Sequence, residues 1–237
     1  MSFEPAYTML MTSLPHLGSL FEARYSVISR LKLERRLKVL TPEDAHTLAM
    51  VEKVSCWDRL GGIADDAGFI DQALRTMTQL SKPVMADIVR HRVELRTLVA
   101  AMRRRHLGGG APGEGEKWGV GRWMKVIARN WAEPGFGVQN AFPWVLDAHR
   151  LMQERNTVAL ERLLLEEVWN ELGRKSQGHH FDFEAVVIYV LRWDVMERWT
   201  HYQAPAAQDR FNALIDASIA DHMTHPMGQM KREAAHG

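Results

Sequence analysis

Apolar residues recur at helical spacing along most of the chain, and the clearest case is the segment that follows residue 180. An unbroken apolar run, residues 185–191, is followed by Glu197-Arg198-Trp199, where charged and aromatic residues mix. This pattern predicts a helix that is buried on most sides at its start and amphipathic at its end. Asp182 precedes the run and is expected to cap the helix.

Three segments of the first 60 residues have distinct patterns. Residues 7–15 form a short apolar run ended by Pro15, for which a buried strand and a helical turn remain equally open. Residues 27–40 set apolar positions against a basic remainder, which predicts an amphipathic helix. Thr41-Pro42-Glu43-Asp44 combines a capping side chain, a proline at the first helical position and two acids that complement the helix dipole, so a helix is expected from here to about Trp57. Its inward residues are expected to be Ala45, Leu48, Ala49 and Val54.

A long helix is predicted to begin near Ser81-Lys82-Pro83, after a shorter one over 66–80. Its apolar stripe consists of Val84, Ile88, Leu95, Leu98, Val99 and Met102. The basic residues 103–106 at its end oppose the negative end of the helix dipole. The glycine-rich segment 108–116 then predicts a mobile surface loop.

The glycine-rich loop divides the chain into an N-terminal half, 1–107, a loop, 108–117, and a C-terminal half, 118–237, although one continuous domain is equally compatible with the pattern. Helices in the second half are expected over about 121–131, 139–153, 156–173 and 207–222, with Asn156 as a cap, Gly173 as a stop and Pro143 near a start or at a kink. Alternating strand patterns are absent from the sequence. The predicted fold is all-α, an elongated or lobed multi-helix bundle, with residues 7–15 as the one candidate for an extended segment.

Composition narrows the function classes. Hydrophobic residues make up 46% of the chain, charged residues make up 25%, and the net charge of +1 provides no general attraction to nucleic acid or anionic lipid. Cys56 is the only cysteine, which rules out an intrachain disulfide and favours a reducing compartment. No secretory signal or membrane-spanning run is recognisable. We therefore expect a cytoplasmic protein able to dock on a membrane complex. The eight tryptophans and thirteen methionines either fill an irregular core or form an adaptable docking surface.

Motifs for catalysis or cofactor binding are weak. The glycine-rich loop lacks both a preceding strand and a following Gly-Lys-Ser/Thr, so a phosphate site is not predicted. Cys56 is expected to behave as a small apolar residue. His179-His180 before Asp182 could bind a metal, but a loop that enters a helix is the simpler interpretation. The sequence predicts no catalytic residue, no cofactor, no metal site and no small-molecule substrate.

Two arginines in the apolar helix are better candidates for function. Arg192 and Arg198 lie among apolar and aromatic residues, where a charged group requires a partner. Asp194 precedes Arg198 by four residues, the favourable order for a surface pair. The two arginines are therefore either members of surface pairs or are held for a partner protein.

The chain resembles a bacterial family of unknown function that is associated with V/A-type ATPase operons. Members of this family are regarded as similar to the adaptor that links the central stalk of the ATPase to its rotor ring. The segments that carry the resemblance are 7–17, 40–44, 139–141 with 148–150, 160–162 before Trp169, and 181–199. The glycine-rich loop and the basic cluster before it depart from the family pattern.

The resemblance implies a non-catalytic, all-helical rotor part on the cytoplasmic face of the membrane. Such a protein receives the end of the central shaft on the membrane ring and transmits torque between the two motors. Its partners would be the shaft and ring proteins, with no nucleic acid involved. The residues expected to contact partners are Asn140, Arg150, Asp182, Arg192, Glu197, Arg198 and Trp199.

Overall fold

The fold consists of helices joined by turns. The computed structural model describes residues 5–23, 25–56 and 66–201, and these ranges contain no β-strand, which confirms the all-α prediction. The helices are α1 (Pro5–Ser13), α2 (Arg30–Leu37), α3 (Pro42–Ser55), α4 (Asp66–Gln79), α5 (Pro83–His106), α6 (Met124–Arg129), α7 (Trp144–Gln153), α8 (Thr157–Lys175) and α9 (183–201), with a 3₁₀ turn at Leu20–Glu22.

Helix α5 lies at the centre, and α3, α4, α6, α7 and α8 pack against it. The buried surface of α5 is wider than the apolar stripe predicted from the sequence, because the four successive residues 92–95 are all buried. A helix surrounded by neighbours buries several faces, and its polar residues must then find partners inside the protein. Arg92 does so by donating from Nε to the Ser55 carbonyl at 2.8 Å.

Helix α3 begins where the sequence predicts. The Asp44 amide donates to Thr41 Oγ1 at 3.1 Å, which confirms Thr41 as the cap. Leu48 and Val54 are buried as expected, but the predicted inward positions Ala45 and Ala49 are exposed. The buried face is instead completed by Val51, Glu52 and Ser55.

Residues 7–13 are helical, in α1, which decides between the two alternatives left open for residues 7–15. Several predicted helix bounds in the second half of the chain are wrong for local reasons. The helix expected over 121–131 is limited to α6, and the one expected from Gln139 begins only at Trp144. Pro143 lies just before that first turn, where its missing N–H is not needed, and tight turns occupy residues 138–142. Gly173 does not stop α8, which continues to Lys175.

Helix α9, near the end of the described chain, packs against the segments before α2. The Ala185 amide donates to Asp182 Oδ1 at 2.9 Å, which confirms the predicted cap, and residues 185–188 are buried as predicted. The Tyr189 hydroxyl donates to the Pro15 carbonyl and Trp193 Nε1 donates to the Ile28 carbonyl, both at 2.8 Å. Residues from both sides of the glycine-rich loop belong to one core cluster.

Trp57, the expected end of α3, and the helix expected over 207–222 lie outside the described ranges, and α3 ends at Ser55. Within residues 5–23, 25–56 and 66–201, no helix has both the length and the apolar character needed to cross a bilayer.

Candidate partner-binding groove

A surface groove lies between the segment after α1 and the first half of α9. It encloses about 290 Å³. One wall is formed by residues 14–18, and the other by Ala185, Ile188, Tyr189 and Arg192 of α9. We call this depression the Arg192 groove.

The α9 wall follows from simple helical spacing. Residue 185 and the positions three, four and seven residues later lie on one side of an α-helix. The opposite wall is held in place by the bond from the Tyr189 hydroxyl to the Pro15 carbonyl. Burial raises the pKa of Tyr189 to about 12, so this hydroxyl remains a donor throughout the neutral range.

Arg192 is the unusual group of this groove. Its guanidinium carbon lies 3.9 Å from the centre of the Trp169 ring, and its Nε is buried without a hydrogen bond. Burial lowers its pKa, but an arginine side chain remains charged at neutral pH. Among the residues that the structure describes, no acid is paired with Arg192. The ring contact compensates only part of the cost of removing the charge from water.

The charge on the described lining of the groove is that of Arg192, and Asp182 lies behind the lining residue His179. The described residues that line the groove include no aspartate and no glutamate. His16 accepts from the Gly18 amide through Nδ1 at 3.0 Å, so its neutral ring carries the proton on Nε2 as a second donor. Arg36 is close enough to oppose the rise of the Tyr189 pKa through its charge. The groove therefore favours an anionic occupant.

A second depression of about 330 Å³ adjoins the Arg192 groove, because Leu17 and Gly18 line both. Tyr25 and Val27 line it and are 78% and 41% exposed. Exposed apolar side chains beside a depression are typical of surfaces that bind another protein. Glu22 is the acidic residue among its described lining residues.

The structure distributes the other predicted partner residues over different roles. Arg198 donates from Nε to Glu161 Oε1 at 2.5 Å, and Trp199 is buried with its ring centre 4.9 Å from that of Phe21. Glu197 pairs with His201 one turn later in α9, with 3.6 Å between Oε1 and Nδ1.

Asn140 and Arg150 lie near or on α7, away from the residues that line the groove. Asn140 is exposed in the turns before α7, and Arg150 pairs with Asp147 and Glu154 on the helix surface. Of the seven predicted partner residues, only Arg192 lines the groove.

Sequence reasoning identified Arg192 but missed His16, Trp169 and Tyr25. The spacing of residues 185, 188, 189 and 192 could have shown that Arg192 shares a face with Tyr189. No pattern in the sequence could have shown that residues 14–18 cover that face, since more than 160 positions separate them along the chain.

A buried polar cluster joins α3, α5 and α9 but has little room for a ligand. The cavity beside Arg92 and Asp194 holds about 20 Å³, which is enough for one water molecule. Burial lowers the pKa of Arg92 to about 10, while the charge of Asp194 acts in the opposite direction. Burial raises the pKa of Cys56, which keeps it a thiol. The cluster is therefore best explained as buried charge that is balanced inside the core.

His179, Asp182 and Glu184 form the one group of possible metal ligands found in the described residues, with ligand atoms within 4.8 Å of one another. Each has a structural role already. Asp182 caps α9 and also lies 2.6 Å from His179 Nδ1, and Glu184 pairs with Lys82 at 3.4 Å. The helix N-terminus beside them carries partial positive charge, which disfavours a cation.

No protein-family model, curated protein or solved structure matches this chain. Its function is therefore inferred from its own residues and their geometry.

Proposed function

We propose that this chain is a non-catalytic adaptor that binds a segment of a partner protein in the Arg192 groove and the depression beside it. The observation that carries this proposal is the continuity of the two depressions through Leu17 and Gly18. Together they provide a continuous surface that is lined by the cation of Arg192 and by the exposed apolar side chains of Tyr25 and Val27. Such a surface suits an extended polypeptide better than a small substrate, which is normally enclosed on most sides.

The partner complex that we propose is a V/A-type rotary ATPase, in which this chain acts as the adaptor between the central shaft and the membrane ring. Support for this partner comes from the resemblance in segments 7–17 and 181–199, and these same segments supply both walls of the groove. A link that transmits torque must be stiff, and the close packing of helices around α5 is compatible with that requirement. The proposed location is the cytoplasmic face of the membrane.

Co-purification from the native host tests this proposal. The tagged protein is recovered from gently solubilised membranes, and the proteins that accompany it are identified by mass spectrometry. We expect the shaft, ring and catalytic proteins of the ATPase. Recovery of a different membrane complex would replace the ATPase by a scaffold or assembly role, and recovery of the chain alone would contradict the adaptor function.

Two matched variants locate the docking surface. Tyr25→Ser removes an exposed apolar side chain beside the groove, and Leu107→Ser removes another, 84% exposed, after α5. Neither change is expected to disturb the core, because both side chains are exposed. Co-purification should fall for Tyr25→Ser and remain for Leu107→Ser. Equal recovery with both variants would contradict docking at this surface.

A second candidate, metal-dependent chemistry, is favoured only by the His179, Asp182 and Glu184 cluster. Metal analysis of the purified protein separates the two candidates. The adaptor proposal expects much less than one zinc or iron per chain. A stoichiometric metal that is lost in His179→Ala and kept in His180→Ala would favour the second candidate instead.

A further inference from the structure

We infer that the Arg192 groove is a carboxylate-binding site, whose occupant is an acidic side chain of the docked polypeptide segment. The inference rests on the proposed docking function and adds the chemistry by which the segment is recognised. It also states why a charged group is kept on an otherwise apolar part of α9.

Arg192 carries a charge that the described residues do not balance. Its guanidinium is half-buried, packed on Trp169, and its Nε makes no hydrogen bond. A buried charge without an acidic partner destabilises a folded protein unless another interaction compensates it. The other core arginine of α9, Arg198, is held by Glu161. Arg192 has no equivalent acid among the described residues, so a carboxylate that enters the groove would supply the partner that these residues do not.

The shape of the groove selects the type of anion. The planar guanidinium matches the two oxygens of a carboxylate, and its contact with the Trp169 ring holds it at one side of the groove. His16 adds an exposed donor at the rim, and the described lining contributes no competing carboxylate. The neighbouring depression with Tyr25 and Val27 provides apolar contact for residues that flank the acid. These features favour an acidic polypeptide over an isolated anion.

A lipid headgroup fits the groove less well than a polypeptide. Binding to an anionic membrane normally uses several exposed basic residues that act together. The groove has one guanidinium, partly buried, with Arg36 nearby, and the depression beside it is lined by Tyr25, Val27 and the acidic Glu22. The geometry therefore favours a peptide, and membrane binding becomes an outcome that the experiment can detect.

The experiment measures binding of a fluorescein-labelled peptide of alternating leucine and glutamate to the full chain, with the glutamine version of the peptide as its control. Three proteins are compared: the wild type, Arg192→Met, and Arg35→Met. Methionine retains an apolar stem against Trp169 but removes the charge. Arg35 is exposed on α2, so its variant loses the same charge without altering the groove.

We expect the glutamate peptide to bind the wild type and Arg35→Met with similar affinity, and to bind Arg192→Met about tenfold or more weakly. The glutamine peptide should bind all three proteins as weakly as the glutamate peptide binds Arg192→Met. Thermal unfolding provides a check on folding, because Arg192→Met is expected to be as stable as the wild type or more stable.

Three results would overturn the inference. They are equal affinity of the glutamate peptide for wild type and Arg192→Met, no binding of that peptide at millimolar concentration, and Arg192-dependent binding to phosphatidylserine vesicles in place of the peptide.

Other results would contradict the proposed ATPase function without contradicting the carboxylate site. Arg192-dependent peptide binding without any co-purifying complex would leave the carboxylate site in place and remove the ATPase. Equal recovery of ATPase proteins with wild type and Arg192→Met would support the ATPase as partner and contradict the carboxylate site.

Discussion

Arg198 of α9 and Glu161 of α8 form an ion pair in which Nε and Oε1 are 2.5 Å apart. Their side chains are 31% and 16% exposed, so the pair is partly buried where the two helices pack. The distinction between this pair and Arg192 is central to the function proposed above. Arg198 is paired with an acid of the chain, whereas Arg192 has no such pair among the described residues.

Removal of Arg198 is expected to destabilise the fold. Arg198→Ala leaves the Glu161 carboxylate with little water and without this donor, so the free energy of unfolding should fall by about 1–3 kcal/mol. Urea denaturation followed by tryptophan fluorescence measures the change. Arg150→Ala is the control, because Arg150 pairs with Asp147 and Glu154 on the open surface, and it should leave stability nearly unchanged. Equal stability of the two variants would show that the Arg198 pair is not structural.

Replacement of Gly173 should stabilise the protein. Gly173 lies inside α8, and a Cβ atom added there would meet nothing within 4 Å. Gly173→Ala should therefore raise the free energy of unfolding by about 0.5–1 kcal/mol, since alanine has less conformational freedom to lose. Urea denaturation of the variant and the wild type measures the difference.

Gly137→Ala is the matched control for this change and should have the opposite effect. Gly137 has a φ of +70°, and its Cβ would lie 2.4 Å from Asn130 Nδ2. A loss of stability in Gly173→Ala would mean that the helix end needs the flexibility of glycine.

Stability is expected to decrease below pH 7, in part because of His91. Burial lowers the pKa of this histidine in the folded protein, although Glu171 and Glu167 act in the opposite direction. The unfolded chain, with a histidine pKa of about 6.5, then binds more protons than the folded protein, so this contribution is complete above about pH 6.5 and is lost as the pH falls toward the folded pKa.

Denaturation of the wild type and of His91→Gln between pH 5 and pH 8 measures this contribution. The pH dependence should be weaker in the variant. His149 has a pKa lowered by burial and by Arg105, so His149→Gln should change the slope in the same direction. An unchanged slope in His91→Gln would mean that this ring has the same pKa in the folded and unfolded chain.

Cys56 should react with thiol reagents only when the protein opens. The side chain is 1% exposed, and burial raises its pKa, so both access and thiolate formation are restricted. We expect slow modification by a disulfide reagent in native buffer and release of one thiol equivalent in denaturant. Rapid reaction in native buffer would indicate that the junction of α3, α5 and α9 opens readily.

The fold class and the starts of α3, α8 and α9 were accessible from the sequence because their causes are local. Thr41, Asn156 and Asp182 each accept from an amide three residues later, an interaction determined within one turn. The end of α8 was not accessible, because Gly173 tolerates helical geometry and tertiary packing outweighs its weak preference.

The candidate site was accessible only in part. Arg192 could be selected because a charge among apolar residues is unusual anywhere along a chain. Its lack of an acidic partner among the described residues, its stacking on Trp169 and the cover provided by residues 14–18 depend on contacts between distant segments. Such contacts have no local pattern, so the groove itself was absent from the sequence predictions.

The bonds from Tyr189 and Trp193 to the carbonyls of Pro15 and Ile28 affect how the protein is made. During synthesis the early segment leaves the ribosome long before α9 exists, so these two carbonyls remain solvated until residues 189 and 193 have been added. The groove is thus completed by the closure of a very long loop, a step that is slow compared with helix formation. A ribosome-bound chain that ends before α9 would have helices but no Arg192 groove, so the proposed docking surface would form only after this wall of the groove has been translated.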